Sequence, residues 1–566
     1  MKQYSLFANR LSTSGQITRK YTAVRADGTN ILLRVRDDGT NSHIEWYNSV
    51  DDAWDTLLPN QTTGLTYGFT GFNTSTQDEV WWCNGTENMT LWVPIIGSVA
   101  SNTATVITLN EVAATAGFPS TGTVIVNGTE YTYTGTSGST LTGLTALPTF
   151  DANEGVALAA DDSTHSALTK YNILHTADAR MWGASTTGVT LAYSAVGDAT
   201  NWTASTAPAN PGSIDLVEGA GPITGLSSLG GNAIDENIFV FKQDLTILYT
   251  LEYPSATTRT ERVKPIRNSG ASNPLGVAKG GETIFYITRK GGIKSISLSQ
   301  LSDGFNFEDI TDLIRPTLEN GVFTSASLGY FEKKRTLLLA YKKNSDSTRN
   351  DGVVAVELIK DPELGQHQAL TTLDWFVNDW AEYNDEFYFG ASFEPNSFKA
   401  FDGYSKDGQP FQSIFTTGRM SFGVPFVKKE IPYMLITGWK APGTKIDLEL
   451  QYDYRGTLAS FESDIPAVNP EGFKYIIEPQ YNLIGSFELG TEPIGGTLED
   501  IDELNYFMIF FELPYAYQPF DIQLNGNTFT EGFRYKIETI GFLKEDISRG
   551  VVIPDNLKRT FKSFDE

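Results

Sequence analysis

With 566 residues the chain has room for three or four domains at about 150 residues each, or fewer if one is a large all-β unit. Its 68 Asp and Glu against 42 Lys and Arg give a formal net charge of −26, the reverse of the footprint of a protein that grips nucleic-acid phosphates. Only 19% of residues are charged while 40% are hydrophobic and 12% aromatic, with 52 Gly and 24 Pro, which excludes a disordered chain and points to a folded β-protein.

At the N-terminus, Met1 to Phe7 is followed by Ala8, Asn9 and Arg10, too short an apolar stretch for a signal-peptide core, so no secretion route is expected. Residues 30–36 form a β-rich run that ends at Asp37, Asp38 and Gly39, and residues 43–47 follow, which spells a hairpin. The same grammar returns at residues 79–82 with 91–93, 238–241 with 246–249, 283–287 with 293–298, 335–341 with 353–358, and 386–389 with 400–401. These units begin at 30, 79, 238, 283, 335 and 386, so outside the long gap after 79 they recur every 45 to 52 residues. About four short strands per such period is what a β-propeller blade requires, although stacked β-sandwiches also yield hairpins at irregular intervals. No WD or kelch signature accompanies the period.

Residues 98–158 break it. They are rich in Thr, Gly, Val and Ala, carry an isolated hairpin at 123–126 and 130–133, and read as a small inserted β-domain hung from a blade. A short helix is expected over 309–315, before Pro316. From Lys428 the strands lengthen: 433–437, then 445–452, where alternation puts Ile446, Leu448 and Leu450 on one face, then 506–513 and 533–540. The expected organisation is all-β: a propeller over 1–97 and 159–427, the insert at 98–158, a C-terminal β-sandwich at 428–548 and a tail at 549–566. The apolar run at 506–513 contains Glu512 and falls far short of the roughly 20 residues of a membrane helix, so no membrane insertion is expected.

Candidate chemistry is sparse. Cys83 stands alone, which excludes an internal disulfide and a thiolate metal cage. His43, His165, His175 and His367 are too scattered for a local zinc pattern, and no metal or other cofactor is expected. Gly219 and Gly221 open like a dinucleotide loop but precede Pro222 rather than a βαβ unit. Counted as a calcium loop, Asp346, Thr348, Asn350 and Glu357 place oxygens correctly, but Asp351 occupies the required glycine position, so a solvated hairpin loop is expected. Because some propellers hydrolyse glycans, Asp379 with Glu382, or Glu382 with Asp385, beside Trp375 and Trp380 are candidate acid pairs, and the aromatic cluster from Trp375 to Phe389 is a candidate sugar platform for an adhesin. Core packing is the simpler reading of those rings.

Between Arg36 and Lys170 there is no Lys or Arg, while fifteen carboxylates from Asp37 to Asp162 fall in that stretch. The block is either an ordinary acidic exterior or a surface past which a polyanion slides without sticking.

One longer pattern resembles a known family. Arg180 and Trp182 on one strand, Tyr193 and Ser194 on the next, a Gly197-Asp198-x-x-Asn201-Trp202 turn, Gly221 to Gly225, and Ile238 to Lys242 follow in the order of the β-propeller tail-hub proteins of short-tailed bacteriophages. Residues 269–276, 284–287, 291–293 and 429–433 continue the likeness, which spans about 171–433; the insert at 98–158 matches no family motif. The resemblance implies a structural, non-enzymatic tail hub or nozzle protein of the virion, made in the host cytoplasm. It implies a homo-oligomeric ring, a hexamer, bound to portal, adaptor and other tail proteins. The ring would close or extend the DNA exit channel, and the genome would pass through it during ejection without specific binding. Glycan hydrolase and glycan-binding adhesin remain the alternatives.

Overall fold

The computed structural model describes residues 4–8, 15–74, 77–161, 168, 170–203, 209–229, 236–255, 258–267, 269–298, 305–310, 318–358, 370–402 and 406–407, and isolated strands from Gln412 to Leu543. By contacts the chain divides into residues 6–400, and residues 1–5 with 401–566.

Residues 6–400 carry seven antiparallel sheets that succeed one another along the chain. The first is built from Gln16–Val24, Asn30–Asp37, Asn41–Asn48 and Ala53–Thr62; the second from Gly68–Asn73, Asp78–Cys83 and Thr90–Trp92. Sheets three to six have four strands each and start at Ile173–Ala177, Ile223–Ser228, Val277–Gly280 and Val322–Phe331. The seventh starts at Val377–Tyr383 and takes the N-terminal strand Tyr4–Phe7 as its outermost member. The first strand of every sheet contacts the first strand of the next, and Val377–Tyr383 returns to Gln16–Val24. That cycle makes the unit a seven-bladed β-propeller with the first strands around its axis.

The hairpins legible in the sequence are the second and third strands of blades one, two, four, five, six and seven. These middle strands have neighbouring blades on both faces, so their runs are continuously apolar, as in Leu337, Leu338, Leu339 and Ala340, all fully buried. Asp309 ends the strand Phe305–Asp309 rather than starting a helix, and residues 311–317 of the expected helix lie outside the described residues.

The insert leaves blade two after Thr90–Trp92, where a fourth strand would stand, and only the bridge between Leu91 and Asp161 marks that position on its return. It is more than one hairpin: seven short strands between Ile96 and Leu158 form one sheet around Val99, Ile107, Leu109, Phe118, Val124, Tyr133 and Leu141. Three-to-five-residue strands of Thr and Val carry little periodic signal, which hid this core from the sequence.

In the C-terminal unit the described strands make two four-stranded sheets and one two-stranded sheet. Gln412–Thr416, within the range read as propeller, pairs instead with Phe520–Asn527 of this unit, so the change of architecture falls before residue 428. Residues 549–566 lie outside the described residues.

Blade one meets blade seven where the chain leads from Tyr4–Phe7, in blade seven, to Gln16–Val24, in blade one. The buried Asp379 carboxylate accepts from Arg19 Nη1 at 3.0 Å and the Lys20 backbone N–H at 2.8 Å through Oδ2, and from Ser327 Oγ at 3.3 Å through Oδ1. Asn378 Nδ2 donates to Ile17 O at 3.0 Å, and Thr22 Oγ1 to Glu382 O at 2.6 Å. Behind them Lys20 Nζ and Arg34 Nη1 both donate to Ser397 Oγ, and both cations face the Trp54 ring, at 4.8 and 4.1 Å from its centroid. Burial, followed by the nearby Arg34 charge, holds the Lys20 amine well below its ordinary pKa. Replacing Asp379 with Ala strips these buried donors of their acceptor and should cost about 3 kcal/mol in chemical denaturation of the full chain. The surface substitution Lys333→Ala, which removes only an exposed pair with Glu386, should change stability by less than about 1 kcal/mol.

Candidate functional site

Seven first strands stand around the axis, and beside them a cavity of about 250 Å³ is lined by residues in or next to blades one, two, five, six and seven. Gln16 comes from blade one, Tyr67 precedes blade two, Leu275 precedes blade five, Ser325 comes from blade six and Asn378 from blade seven. The loop between strands two and three of blade six adds Thr348, Arg349 and Asn350 to the same rim. A second cavity of about 200 Å³ shares Arg19 and Tyr67 with the first and extends to His175, Ser227 and Lys279. Arg19 and Tyr67 therefore stand where the two cavities adjoin.

The polar groups here are held in place. Asn350, buried, donates to Ser325 O and Val377 O, both at 3.0 Å, tying the blade-six loop to blade seven. Asn378 Nδ2 also donates to Gln16 Oε1 at 3.0 Å. The Arg349 guanidinium lies over Phe376 and Phe393, 5.5 and 5.7 Å from the ring centroids. His175 donates to or accepts from Ser228 Oγ at 2.9 Å, and burial, with Lys279 nearby, lowers its pKa to about 4, so it is neutral at pH 7.

Of the candidates taken from sequence, Thr348 and Asn350 stand on the cavity rim and His175 lines the second cavity, while the others are placed elsewhere. Trp375 and Trp380 are buried, stacked on Phe389 and Phe387, with Trp380 packed so closely over Gly329 that an added Cβ would sit 2.6 Å from its ring. A platform for sugar must present a ring face to solvent, and these faces are covered. Asp379 is the seam anchor, and Glu382, its carboxyl raised by burial, accepts from the Glu332 N–H at 3.4 Å. In the would-be calcium loop, Asp351 accepts from Lys343 N and Ser347 Oγ, and Asn350 spends its amide on the blade contacts. His43 pairs with Asp38 at 3.0 Å, and His165 and His367 lie outside the described residues. Cys83 is buried, and burial pushes its thiol pKa up. Among the described residues no group of three potential ligands could hold a metal ion. Nor is any described helix long and apolar enough to cross a membrane.

The acidic block is divided. Asp37, Glu45, Asp55 and Glu79 are buried: Glu45 bridges Arg34 and Arg36 at 2.7 and 2.6 Å, Glu79 accepts from Trp81 Nε1 at 2.8 Å, and Asp37 accepts from Thr63 Oγ1 at 2.6 Å. Asp51, Asp52, Glu130 and Asp151 are exposed. Sequence reasoning missed Arg19, Lys342 and Arg349 at the axis. No repeated local signal marks them: of the seven first strands only Gln16–Val24 begins with a polar side chain, and Lys342 and Arg349 both come from blade six.

No protein-family model matches the chain, and no curated protein sequence matches it. Among solved structures, a Bacteroides uniformis protein assigned as a 6-phosphogluconolactonase is 9% identical with a TM-score of 0.32, covering 67% of this chain and 89% of its own. Saccharomyces cerevisiae Sqt1 is 8% identical at TM-score 0.34, covering 71% and 99%, and BamB from Moraxella catarrhalis is 8% identical at 0.30, covering 69% and 84%. Similarity at this level carries no argument about substrate or partner.

One buried acid reports on the junction between insert and propeller. Gly155 of the insert crosses blade one against Asp55 Oδ2 and Trp46, leaving no room for a Cβ. Asp55 Oδ2 is buried without a hydrogen-bond partner, and burial lifts the carboxyl to about 6, against partial compensation from the Asn48 amide. The folded state thus holds this proton more tightly than the unfolded chain, so the contribution of Asp55 to stability is most favourable below about pH 4 and falls as pH rises through about 6, by up to about 3 kcal/mol. Asp55→Asn should therefore raise the melting temperature at pH 7.5 and leave it nearly unchanged at pH 4, measured by differential scanning calorimetry.

Proposed function

We propose that the protein is a structural, non-enzymatic subunit of a short-tailed phage virion, a ring-forming tail hub or nozzle below the portal and adaptor. The observation that supports this most is what the residues of the family-like run do. Buried Arg180 donates to the carbonyls of Ser194, Ala209 and Asn210 at 2.7, 3.4 and 3.2 Å, tying the chain on either side of the Gly197 to Trp202 turn to blade three. Trp182 and Tyr193 pack 5.0 Å apart in the blade core, and Trp202 Nε1 closes the turn on Ala199 O at 2.7 Å. Lys242 Nζ donates to Leu216 O at 2.7 Å, and Asn273 Oδ1 caps Leu275 N at 2.8 Å while its amide reaches Ala326 O at 2.9 Å. Distinctive side chains that in an enzyme would face substrate here hold backbone turns, which is the economy of an architectural part.

In this reading several copies, six by the family resemblance, close into a ring through which the genome passes without specific contacts. The buried acids take no part in its lumen. The exposed members of the block, such as Asp51, Asp52 and Glu130, remain available to repel passing phosphates. Native mass spectrometry and electron microscopy of the assembled protein should find a closed ring with a hole wide enough for duplex DNA; a chain that stays monomeric and is absent from particles overturns the reading. Substituting Asp51, Asp52 and Glu130 together with Lys should leave assembly intact yet slow DNA ejection, more at low salt than at high salt. Unchanged ejection at every salt concentration would return these acids to an ordinary solvated exterior.

A further inference from the structure

The axial cavity inverts the charge of the molecule. In a chain of net charge −26, its lining contains Arg19, Lys342 and Arg349 and not one Asp or Glu side chain. Arg19 is the only one of the three with an acid partner, Asp379 behind it, and its buried Nε has no hydrogen-bond partner. Among the described residues Lys342 and Arg349 pair with no carboxylate, so their charge is uncompensated where a ligand would enter. Cations that line one cavity without acids repel one another, which an anion relieves.

Around these cations the lining is made of amides and hydroxyls, including Gln16, Thr18, Ser325 and Asn378. Such groups suit several ligand hydroxyls rather than a bare ion. Next to Arg349, and outside the cavity lining itself, Phe376 and Phe393 meet edge to face at 5.2 Å with the guanidinium over both rings, and Phe393 is 43% exposed. The guanidinium is thereby fixed as a planar donor beside an open apolar ring, the pairing that receives an oxyanion and the C–H face of a sugar ring together. At about 250 Å³ the cavity has space for a ligand the size of one monosaccharide.

We propose that this axial cavity is a binding site for an acidic monosaccharide, a pyranose bearing one carboxylate or phosphate that engages Lys342 and Arg349. The site is independent of the tail assignment, since each propeller carries its own. It differs from the aromatic cluster around Trp375 and Trp380, whose rings are covered.

Isothermal titration calorimetry of the full chain tests it with four probes: glucuronate, glucose 1-phosphate, neutral glucose and inorganic phosphate. Saturable binding of glucuronate or glucose 1-phosphate is expected, with glucose and phosphate each at least about tenfold weaker. Which of the two sugar acids binds tighter tells a carboxylate ligand from a phosphate ligand. Lys342→Gln and Arg349→Gln should each weaken the sugar acid about tenfold or more, and Phe393→Ser should weaken it without altering the response to phosphate. Lys342 is only partly buried and Arg349 and Phe393 are exposed, so unchanged melting temperatures are expected to certify folding. Neither sugar acid binding, glucose binding as tightly as glucuronate, phosphate matching the sugar acids, or binding untouched by Lys342→Gln and Arg349→Gln in folded protein would each overturn the proposal.

Discussion

A closed ring of sheets must bring its last blade back to its first, and here the strand Tyr4–Phe7, which lies in blade seven and leads along the chain into blade one, shares that task with one buried carboxylate. The remaining junctions are crossed as the chain passes from one sheet to the next, between blades two and three through the insert. The other three strands of blade seven must find blade one across some 360 residues, and Asp379 supplies the register by taking the Arg19 side chain and the next residue's backbone N–H on the same oxygen. Apolar burial between blades would tolerate sliding; directional bonds to a buried charge do not. The polar layer behind it, Lys20 and Arg34 against Trp54 and Ser397, follows from the same need, because cations taken from water require partners on every side.

That constraint also explains why the charge inventory misleads when read along the chain. The long stretch without Lys or Arg looks like one acidic surface, yet Glu45 neutralises arginines of the neighbouring strand and Asp37 and Glu79 hold turns and an indole. Meanwhile the axis, in a strongly acidic molecule, is lined by cations drawn from blades one and six. Sign along a sequence and sign on a surface are different quantities once strands alternate their faces.

How much was legible follows the same physics. Middle strands such as Thr336–Lys342 and Glu236–Lys242 are covered on both faces and announce themselves as apolar runs between turn residues. Inner strands such as Gln16–Val24 mix axis-facing polar residues with buried ones, and an outer strand such as Gly212–Asp215 is only half covered, so neither stands out. The period survived because one good hairpin per blade is enough to mark it. The axial cavity did not, since Gln16, Ser325, Arg349 and Asn378 become neighbours only when the ring closes. The tryptophans near residue 380 showed their chemistry in sequence but not their exposure, which packing against Phe387, Phe389 and Gly329 decided.

Where the insert departs and rejoins, Leu91 and Asp161 exchange both backbone hydrogen bonds, at 3.0 and 2.7 Å, so its two ends stand side by side. The segment has its own hydrophobic centre, yet Ile125 and Ala157 also join the core of blade one, and Gly155 lies against Asp55 and Trp46. Its far strands are thus free to vary without touching the ring, whereas removing the whole segment would uncover one flank of blade one.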